Sequence, residues 1–379
     1  MEDNNLEDIN IKSEQNINDE IIEDPSQKPK NKKLNIISSI LIVLIFVGLT
    51  IYMITVDGLD NITTLLKSVD YRWVFAGIGI LLLWFVCDAM TLHLPLKTMY
   101  KKQKFKNSFK IAMIGQLFNN ITPFASGGQP MQAYELSKEG KRVSDSLSAM
   151  TMKFIITQTA LAIFTTIIIL AQFDFLKDLM KDYMWIVVLS FIVNLLAIIF
   201  VLLAGINKNI ILTICKPFIK LGNKLHIVKN YDKTIDKFDG SVSNFSTQFK
   251  NMKNHKKTIL GIFVMAIIQS MLYYSITYVV YRAFGNYGVS YFQIVPAQAI
   301  LLLIMTFIPT PGSGIGAEGG FLIIFNSIFK QGTINMSILF WRIYTFYFPI
   351  IFGAFFLIPS KKKRNWNFMI SVSFLIFIF

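Results

Sequence analysis

The sequence predicts an all-α polytopic transmembrane helix bundle with two oppositely oriented re-entrant hairpins, arranged as inverted repeats. Hydrophobic residues make up 53% of the 379 residues and charged residues only 16%, and several apolar runs exceed the roughly 18 residues that indicate a spanning helix. Two of the apolar segments are interrupted by Thr-Pro followed by Ser, Gly and a polar residue. Basic residues concentrate in loops beside the runs, where the positive-inside rule fixes their orientation.

About seven complete membrane spans are predicted, and six of them are assigned to apolar segments. They lie at about 34–56, 73–95, 146–172, 184–205, 258–284 and 336–359. Residues 1–33 have a polar composition that is typical of a disordered tail, and the lysines at its end place the N-terminus in the cytoplasm of a cell-membrane protein. Residues 367–379 are apolar but too few for a complete span, so they are expected to insert only partly or to form a shortened last span.

The first interrupted segment, at about 108–136, contains the stretch NNITPFASGGQPMQAYE. Basic clusters stand on both sides of it, so both of its ends are expected in the cytoplasm. Each limb is also shorter than the roughly 20 residues that a complete crossing needs. The segment is therefore predicted to enter the membrane and return as a re-entrant hairpin.

The second interrupted segment, at about 290–330, contains PTPGSGIGAEGGF. Counting back from the basic cluster at 361–364 places both of its ends outside the cell. The two hairpins would then enter from opposite faces, which is the arrangement of inverted repeats in transporters. Such paired interruptions are the best sequence indication of a transporter's binding site.

Residues 206–257 form a basic cytoplasmic loop between the two membrane halves, 34–205 and 258–379. The stretch ILTICKPFIKLGNKLHIV within it has an amphipathic pattern, which is typical of a segment that lies on an anionic membrane surface. At roughly 50 residues, the loop is small for an independent catalytic domain.

The polar and glycine residues of the two interruptions are the first candidates for substrate binding and translocation. Backbone that is broken at membrane depth survives only when it is buried in protein or lines a wet cavity. These groups either hold a lipid phosphate, together with the amides of the restarting helix, or satisfy one another and the exposed carbonyls. The candidates are Asn119, Asn120, Thr122, Gly127, Gly128, Gln129, Gln132, Thr310, Gly312, Gly314 and Glu318.

Four ionisable residues are predicted within membrane segments, where each costs about 2.5–3.5 kcal/mol on insertion scales. They are Asp88, Lys153, Glu318 and Arg342. In the functional interpretation, the two acids line a polar cavity, with Lys153 and Arg342 as their partners or as phosphate contacts. In the alternative, they form two structural ion pairs that lock the bundle.

The sequence contains no motif for catalysis, cofactor binding or metal binding. It lacks a phosphate-binding loop, a nucleophile elbow and any Cys/His pairing, and its three histidines have no metal-ligand spacing. The net charge of +14 is explained by loop lysines beside spans, so we do not expect nucleic acid as a partner. No catalytic residue, metal or cofactor is predicted.

At its two interrupted segments the sequence resembles the integral-membrane domain of the lysyl-phosphatidylglycerol synthase/flippase family, the bacterial multiple peptide resistance factor type. The matching stretches are NNITPFASGGQPMQAYEL and PTPGSGIGAEGGF, and the resemblance covers roughly 34–360. It implies a bundle with two re-entrant elements that moves aminoacylated phosphatidylglycerol between leaflets. Many members carry a basic residue where Gln132 stands here. Two-domain members add a soluble aminoacyl-transferase domain, which we do not expect here because the chain ends at Phe379.

The expected function is therefore translocation of a phospholipid such as lysyl-phosphatidylglycerol, which links the chain to resistance against cationic peptides. Expected partners are anionic or aminoacylated membrane lipids, and both a separate soluble lipid-modifying partner and a homo-oligomer are compatible with the sequence. Two alternatives stay open. The chain is a phosphatidylglycerol lysyltransferase or its membrane subunit, or it is a small-solute or ion transporter with the same broken-helix geometry.

Overall fold

The computed structural model describes residues 69–224, 231–306, 311–330 and 332–357, and every regular element in these residues is helical. The predicted all-α class is therefore confirmed. Four described helical segments are long and apolar enough to cross a membrane, namely Tyr71–Met99, Asp145–Ala171, Lys256–Ala283 and Ile334–Phe355. The tail 1–33, the span predicted at about 34–56 and the apolar stretch 367–379 lie outside the described residues.

The first half of the described chain begins with helix α1, Tyr71–Met99. Asp70 caps it, because its carboxylate accepts a hydrogen bond from the backbone N–H of Arg72 at 3.0 Å. The chain continues through α2 (Phe105–Ile121), α3 (Gly128–Lys138) and α4 (Val143–Ala171). The short α5 (Phe173–Leu179) then leads to the apolar helix α6 (Met184–Ile206).

The basic segment that follows α6 is helical over most of its length. It forms the amphipathic helices α7 (Lys208–Lys224) and α8 (Tyr231–Asn251), which pack against each other, and α8 also packs against α6. Ile211 and Val242 are buried in the small apolar core between them. This core explains why the segment folds into helices, since burying two apolar faces stabilises elements that are marginal alone.

The second half begins with α9, Lys256–Ala283, and continues with α10, Tyr291–Thr306. Helix α11, Gly314–Phe325, precedes a composite helix. That composite helix consists of α12 (Ile334–Arg342), a π-helical segment (Ile343–Tyr347) and α13 (Phe348–Phe355). A π-helical segment inside a longer helix is frequent at functional sites, and here it directly follows Arg342.

The bundle core forms where α1 packs along α9 and both contact α4. Helix α2 packs between α1 and α13. Gly353 permits the close approach of α13, because a Cβ atom there would lie 2.6 Å from the carbonyl oxygen of Met113 and 2.7 Å from Cβ of Leu117. Small residues at such contacts are typical of membrane helix packing. The first interrupted segment is therefore held inside the bundle by helices from both halves.

Both interrupted segments consist of a helix, a break and a second helix. In the first, α2 ends at Ile121, a 3₁₀ turn covers Pro123–Ala125, and α3 begins at Gly128. In the second, α10 ends at Thr306, a 3₁₀ turn covers Pro311–Ser313, and α11 begins at Gly314. The two turns contact each other, and the second also contacts α2. The re-entrant paths and the opposite orientations of the hairpins stay predictions.

Candidate functional site at the paired helix breaks

Each break contains two consecutive residues in the left-handed backbone region, directly after its proline. These are Phe124 (φ 53°) and Ala125 (φ 52°) in the first turn, and Gly312 (φ 59°) and Ser313 (φ 50°) in the second. For residues other than glycine this conformation costs roughly 1–2 kcal/mol each. Such strain persists only where the surrounding structure fixes it, and it clusters at functional sites. The same backbone path in both turns is what an internal repeat would produce.

Side chains from the end of α2 satisfy the first amides after the first break. Thr122 accepts a hydrogen bond from the N–H of Gly127 at 2.8 Å, and its hydroxyl donates to the carbonyl oxygen of Phe118 at 2.6 Å. The side-chain oxygen of Asn119 accepts from the N–H of Gly128 at 3.0 Å. These predicted site residues therefore stabilise the broken backbone itself, and the two amides are already occupied.

The remaining amide side chains of the first break differ in their surroundings. Asn120 donates to the backbone carbonyl of Gln116 at 2.8 Å, whereas Gln129 is exposed. Gln132 is buried beside Gly115, where an added Cβ would overlap its amide group. Among the described residues, Gln132 has no hydrogen-bond partner. Gln129 and Gln132 are therefore the amides of this break that remain available to a ligand.

Arg342 holds the second break together. It is only 5% exposed, and its Nη1 and Nη2 atoms donate to the carbonyl oxygens of Gly312 and Gly314 at 2.8 and 3.0 Å. Its guanidinium carbon also lies 5.3 Å from the ring centre of Phe346 and 5.5 Å from that of Trp341. Carbonyls freed by a helix break need such donors at membrane depth. Arg342 therefore joins the composite helix to the backbone of the second break and to the first residue of α11.

Glu318 is the carboxylate nearest to this guanidinium in the described part of the chain, with Oε1 3.6 Å from Nε of Arg342. Its side chain is 40% exposed, whereas that of Arg342 is almost completely buried. The two side chains therefore differ. The guanidinium of Arg342 already donates to backbone carbonyls, whereas the carboxylate of Glu318 is partly exposed to solvent. An open carboxylate in this position can accept a cationic group of a ligand. Thr310, the other polar candidate here, lies outside the described residues.

Asp88 is the centre of a second polar cluster that joins four helices. It is 3% exposed, and Nζ of Lys153 donates to its Oδ1 atom at 2.7 Å. Gln116 donates to Oδ2 at 2.9 Å, and Gln269 donates to Oδ1 at 3.4 Å. The cluster thus connects α1, α2, α4 and α9. Because α2 ends at the first break, Asp88 also fixes the helix from which that break starts.

Two members of this cluster, Gln116 and Gln269, were not among the sequence candidates. A third amide, Gln298, is completely buried: it accepts from the Thr277 hydroxyl at 2.5 Å, while its own nitrogen has no partner among the described residues. All three lie in apolar helices, where polar side chains are uncommon and usually functional or paired. An amide inside a predicted span or hairpin was the signal that could have identified them.

The described residues contain no group of three or more His, Cys, Asp or Glu side chains placed to hold a metal ion. The side chains that meet at the breaks are amides, hydroxyls, one guanidinium and one half-exposed carboxylate. Such a set can hold a polar or charged group by hydrogen bonds.

Apolar spanning helices around two interrupted ones define the class of protein as a polytopic membrane protein with paired helix breaks. A family model described as the lysylphosphatidylglycerol synthase TM region matches residues 36–353. The chain therefore belongs to this family. The resemblance seen at NNITPFASGGQPMQAYEL and PTPGSGIGAEGGF is confirmed, and the match includes both breaks.

Known relatives are archaeal membrane proteins. A UPF0104 membrane protein of Methanocaldococcus jannaschii is 26% identical over 341 residues, which cover 86% of this chain and 96% of the relative. A UPF0104 membrane protein of Archaeoglobus fulgidus is 23% identical over 275 residues, covering 69% and 79%. Another, from Methanothermobacter thermautotrophicus, is 22% identical over 299 residues, covering 76% and 85%. The similarity thus extends over most of each protein.

Proposed function

We propose that this protein moves a phospholipid, such as lysyl-phosphatidylglycerol, between the leaflets of the cell membrane. The observation that carries the proposal is the contact between the two broken turns, Pro123–Ala125 and Pro311–Ser313. Broken backbone at membrane depth either is buried or lines a polar path, and paired breaks from two repeats form the substrate site in many transporters. The family description, which refers to lysylphosphatidylglycerol, supports a lipid substrate.

In this proposal, the groups at the breaks have two different roles. Asn119, Thr122 and Arg342 stabilise the broken backbone, so the breaks persist without a substrate. Glu318 and the amide of Gln132 contact the head group as it passes. A phosphate accepts a hydrogen bond from the amide, and an ammonium group pairs with the carboxylate. The acyl chains stay in the surrounding lipid, since only the head group needs shielding from it.

The Asp88 cluster positions the first break and does not contact the lipid. Its carboxylate already accepts from Lys153 and Gln116 at 2.7 and 2.9 Å and is almost completely buried. The ion pair has no net charge, which favours a structural role for a buried cluster. Asp88 and Lys153 therefore affect transport through the placement of α2.

The proposal is tested by lipid translocation in proteoliposomes, using head-group-labelled phosphatidylglycerol and a membrane-impermeant quencher. Vesicles with protein should lose more than half of the signal, because labels on both leaflets become accessible, whereas empty vesicles should lose about half. Equal quenching with and without protein, also under an imposed proton or sodium gradient, would contradict lipid translocation. Saturable uptake of a small solute in the same vesicles would instead favour a solute transporter.

Glu318→Gln tests the head-group role directly. The change removes the charge but keeps the shape, so a lipid with a cationic head group should translocate roughly tenfold more slowly if about 1.4 kcal/mol of interaction is lost. Asp178→Asn is the matched control, because it neutralises an exposed carboxylate on α5. An unchanged rate in Glu318→Gln, with the control also unchanged, would remove Glu318 from the path.

The word synthase in the family description favours one second candidate, the membrane part of a phosphatidylglycerol lysyltransferase. This candidate predicts lysyl-phosphatidylglycerol formation from lysyl-tRNA only when a separate catalytic partner is added. Product formation that depends on both proteins would support it. Translocation by the purified chain alone would favour the flippase.

A further inference from the structure

We propose that the end of the bundle where α1 begins and α9 ends binds the phosphodiester of an anionic phospholipid, with Arg282 as the phosphate ligand. This site does not depend on the translocation function proposed above, because it uses none of the residues at the two breaks. Its parts are a guanidinium enclosed by aromatic rings, an excess of positive charge and a position at the membrane interface.

Arg282 lies in an aromatic box that fixes its orientation. Its guanidinium carbon is 4.8 Å from the ring centre of Trp73 and 4.3 Å from that of Tyr287. Its Nη1 atom donates to the hydroxyl of Tyr278 at 2.9 Å, and Trp73 packs edge-on against Tyr278. Rings in these positions hold a planar guanidinium by cation–π attraction.

The charge of Arg282 has no acidic partner in the described part of the chain. Among the same residues, its Nε atom is buried without a hydrogen-bond acceptor, and its Nη1 atom donates to the hydroxyl of Tyr278. A half-buried cation normally pairs with an anion. Two parallel N–H groups of a guanidinium can donate to two oxygens of one phosphate, which gives a bidentate pair of hydrogen bonds. A phosphodiester is therefore the ligand chemistry that completes this site.

The surroundings indicate that the phosphate comes from a lipid. Strongly exposed aromatic side chains ring this end of the bundle, namely Tyr71, Phe75, Tyr287 and Phe292. Such belts mark the level of lipid head groups. Arg72, Arg282 and Lys330 carry positive charge at this end, and Asp70 carries one negative charge. An anionic head group fits this charge, whereas the choline of a zwitterionic lipid would meet repulsion.

The loop behind Arg282 is built rigidly. The N–H of Asp70 donates to the carbonyl oxygen of Ala283 at 2.9 Å and so joins the ends of α1 and α9. Asn286 donates to the carbonyl of Tyr281 at 3.0 Å and accepts from the N–H of Lys330 at 3.0 Å. A preorganised loop loses little conformational freedom when it binds a ligand.

The test is thermal unfolding of the full chain in detergent, titrated with phosphatidylglycerol, phosphatidylcholine or inorganic phosphate. Phosphatidylglycerol should raise the midpoint most. Arg282→Gln should weaken its apparent affinity roughly tenfold, the loss expected for one charge-assisted contact of about 1.4 kcal/mol. Arg142→Gln, which removes an exposed arginine directly before α4 and away from this site, should keep the wild-type affinity. Arg282→Lys should fall between them, because it keeps the charge and loses the two-point geometry.

Three outcomes would overturn the proposal. The first is an unchanged phosphatidylglycerol response in Arg282→Gln, and the second is an equal response to phosphatidylcholine. The third is an equal response to inorganic phosphate, which would assign the site to a soluble anion. If Arg282→Gln does not fold, native mass spectrometry of the wild type and Arg282→Lys decides. The lysine variant should retain fewer phosphatidylglycerol molecules, and equal retention would contradict the assignment.

Discussion

Neutralising one member of the Asp88–Lys153 pair is expected to destabilise the protein more than neutralising both. The side chains are 4% and 16% exposed, and their charged atoms are 2.7 Å apart. Asp88→Asn leaves the Lys153 ammonium buried without a counter-ion, and Lys153→Met leaves the carboxylate with amide donors alone. Breaking a buried pair on one side costs about 3–5 kcal/mol.

The double variant removes both charges and should lose about 2 kcal/mol or less, since replacing a buried pair by uncharged groups is often close to neutral. The asparagine can still accept from Gln116 and Gln269, which supports this small loss. Two single losses of at least about 3 kcal/mol each, against about 2 kcal/mol for the double variant, give a coupling energy of about 4 kcal/mol or more, which is above the usual range for neighbouring residues.

The assay is unfolding of the purified protein in mixed micelles by titration with sodium dodecyl sulfate, followed by circular dichroism. Asp178→Asn and Lys177→Met make the same charge changes on exposed side chains and should cost under about 0.5 kcal/mol each. If the double variant loses the sum of the two single losses, the pair is not coupled and the reasoning is wrong.

Three further predictions concern individual side chains. Arg342→Lys should lower the free energy of unfolding by about 2 kcal/mol, because one ammonium group cannot donate to both carbonyls of the second break. A loss below about 0.5 kcal/mol in the same titration would contradict this prediction. At the left-handed position 124, Phe124→Gly should be more stable than Phe124→Ala by about 1 kcal/mol, and equal stabilities would refute the assigned backbone. Burial raises the pKa of the Cys215 thiol. In a Cys87→Ala background, alkylation of Cys215 should therefore require a higher pH than alkylation of free cysteine. Alkylation at the free-cysteine rate at pH 7 would argue against this prediction.

Local features of the fold could be predicted from the sequence. Thr122-Pro123 and the following glycines marked the first break, because proline cannot continue a helix and glycine permits a turn. The apolar runs gave the described spans to within a few residues, as the helices Tyr71–Met99 and Lys256–Ala283 show. These features depend on residues that are close in sequence, and so their pattern was sufficient.

Contacts between distant elements could not be predicted in this way. The donation from Arg342 to Gly312 and Gly314 depends on how the composite helix is rotated towards the second break. The contribution of Gln116 to Asp88 likewise depends on the register of α2 against α1. Helix rotation and register are set by packing, which composition and charge counts do not record.

The basic segment 206–257 is a second example of structure that depends on contacts between distant residues. Its basic composition indicates a loop, and only the stretch ILTICKPFIKLGNKLHIV has an amphipathic pattern. Helices α7 and α8 form because each buries an apolar face on the other, with Ile211 and Val242 between them. An element that is stabilised by a partner is difficult to recognise in isolation.

In the proposed translocation, the lipid head group enters the junction of the two breaks. The most direct measurement is photo-cross-linking in proteoliposomes with a phosphatidylglycerol that carries a diazirine on its head group, followed by peptide mapping. We predict adducts on both 119–132 and 312–318, reduced by excess unlabelled lipid. Adducts restricted to lipid-facing helices such as α6, with neither break labelled, would contradict the account.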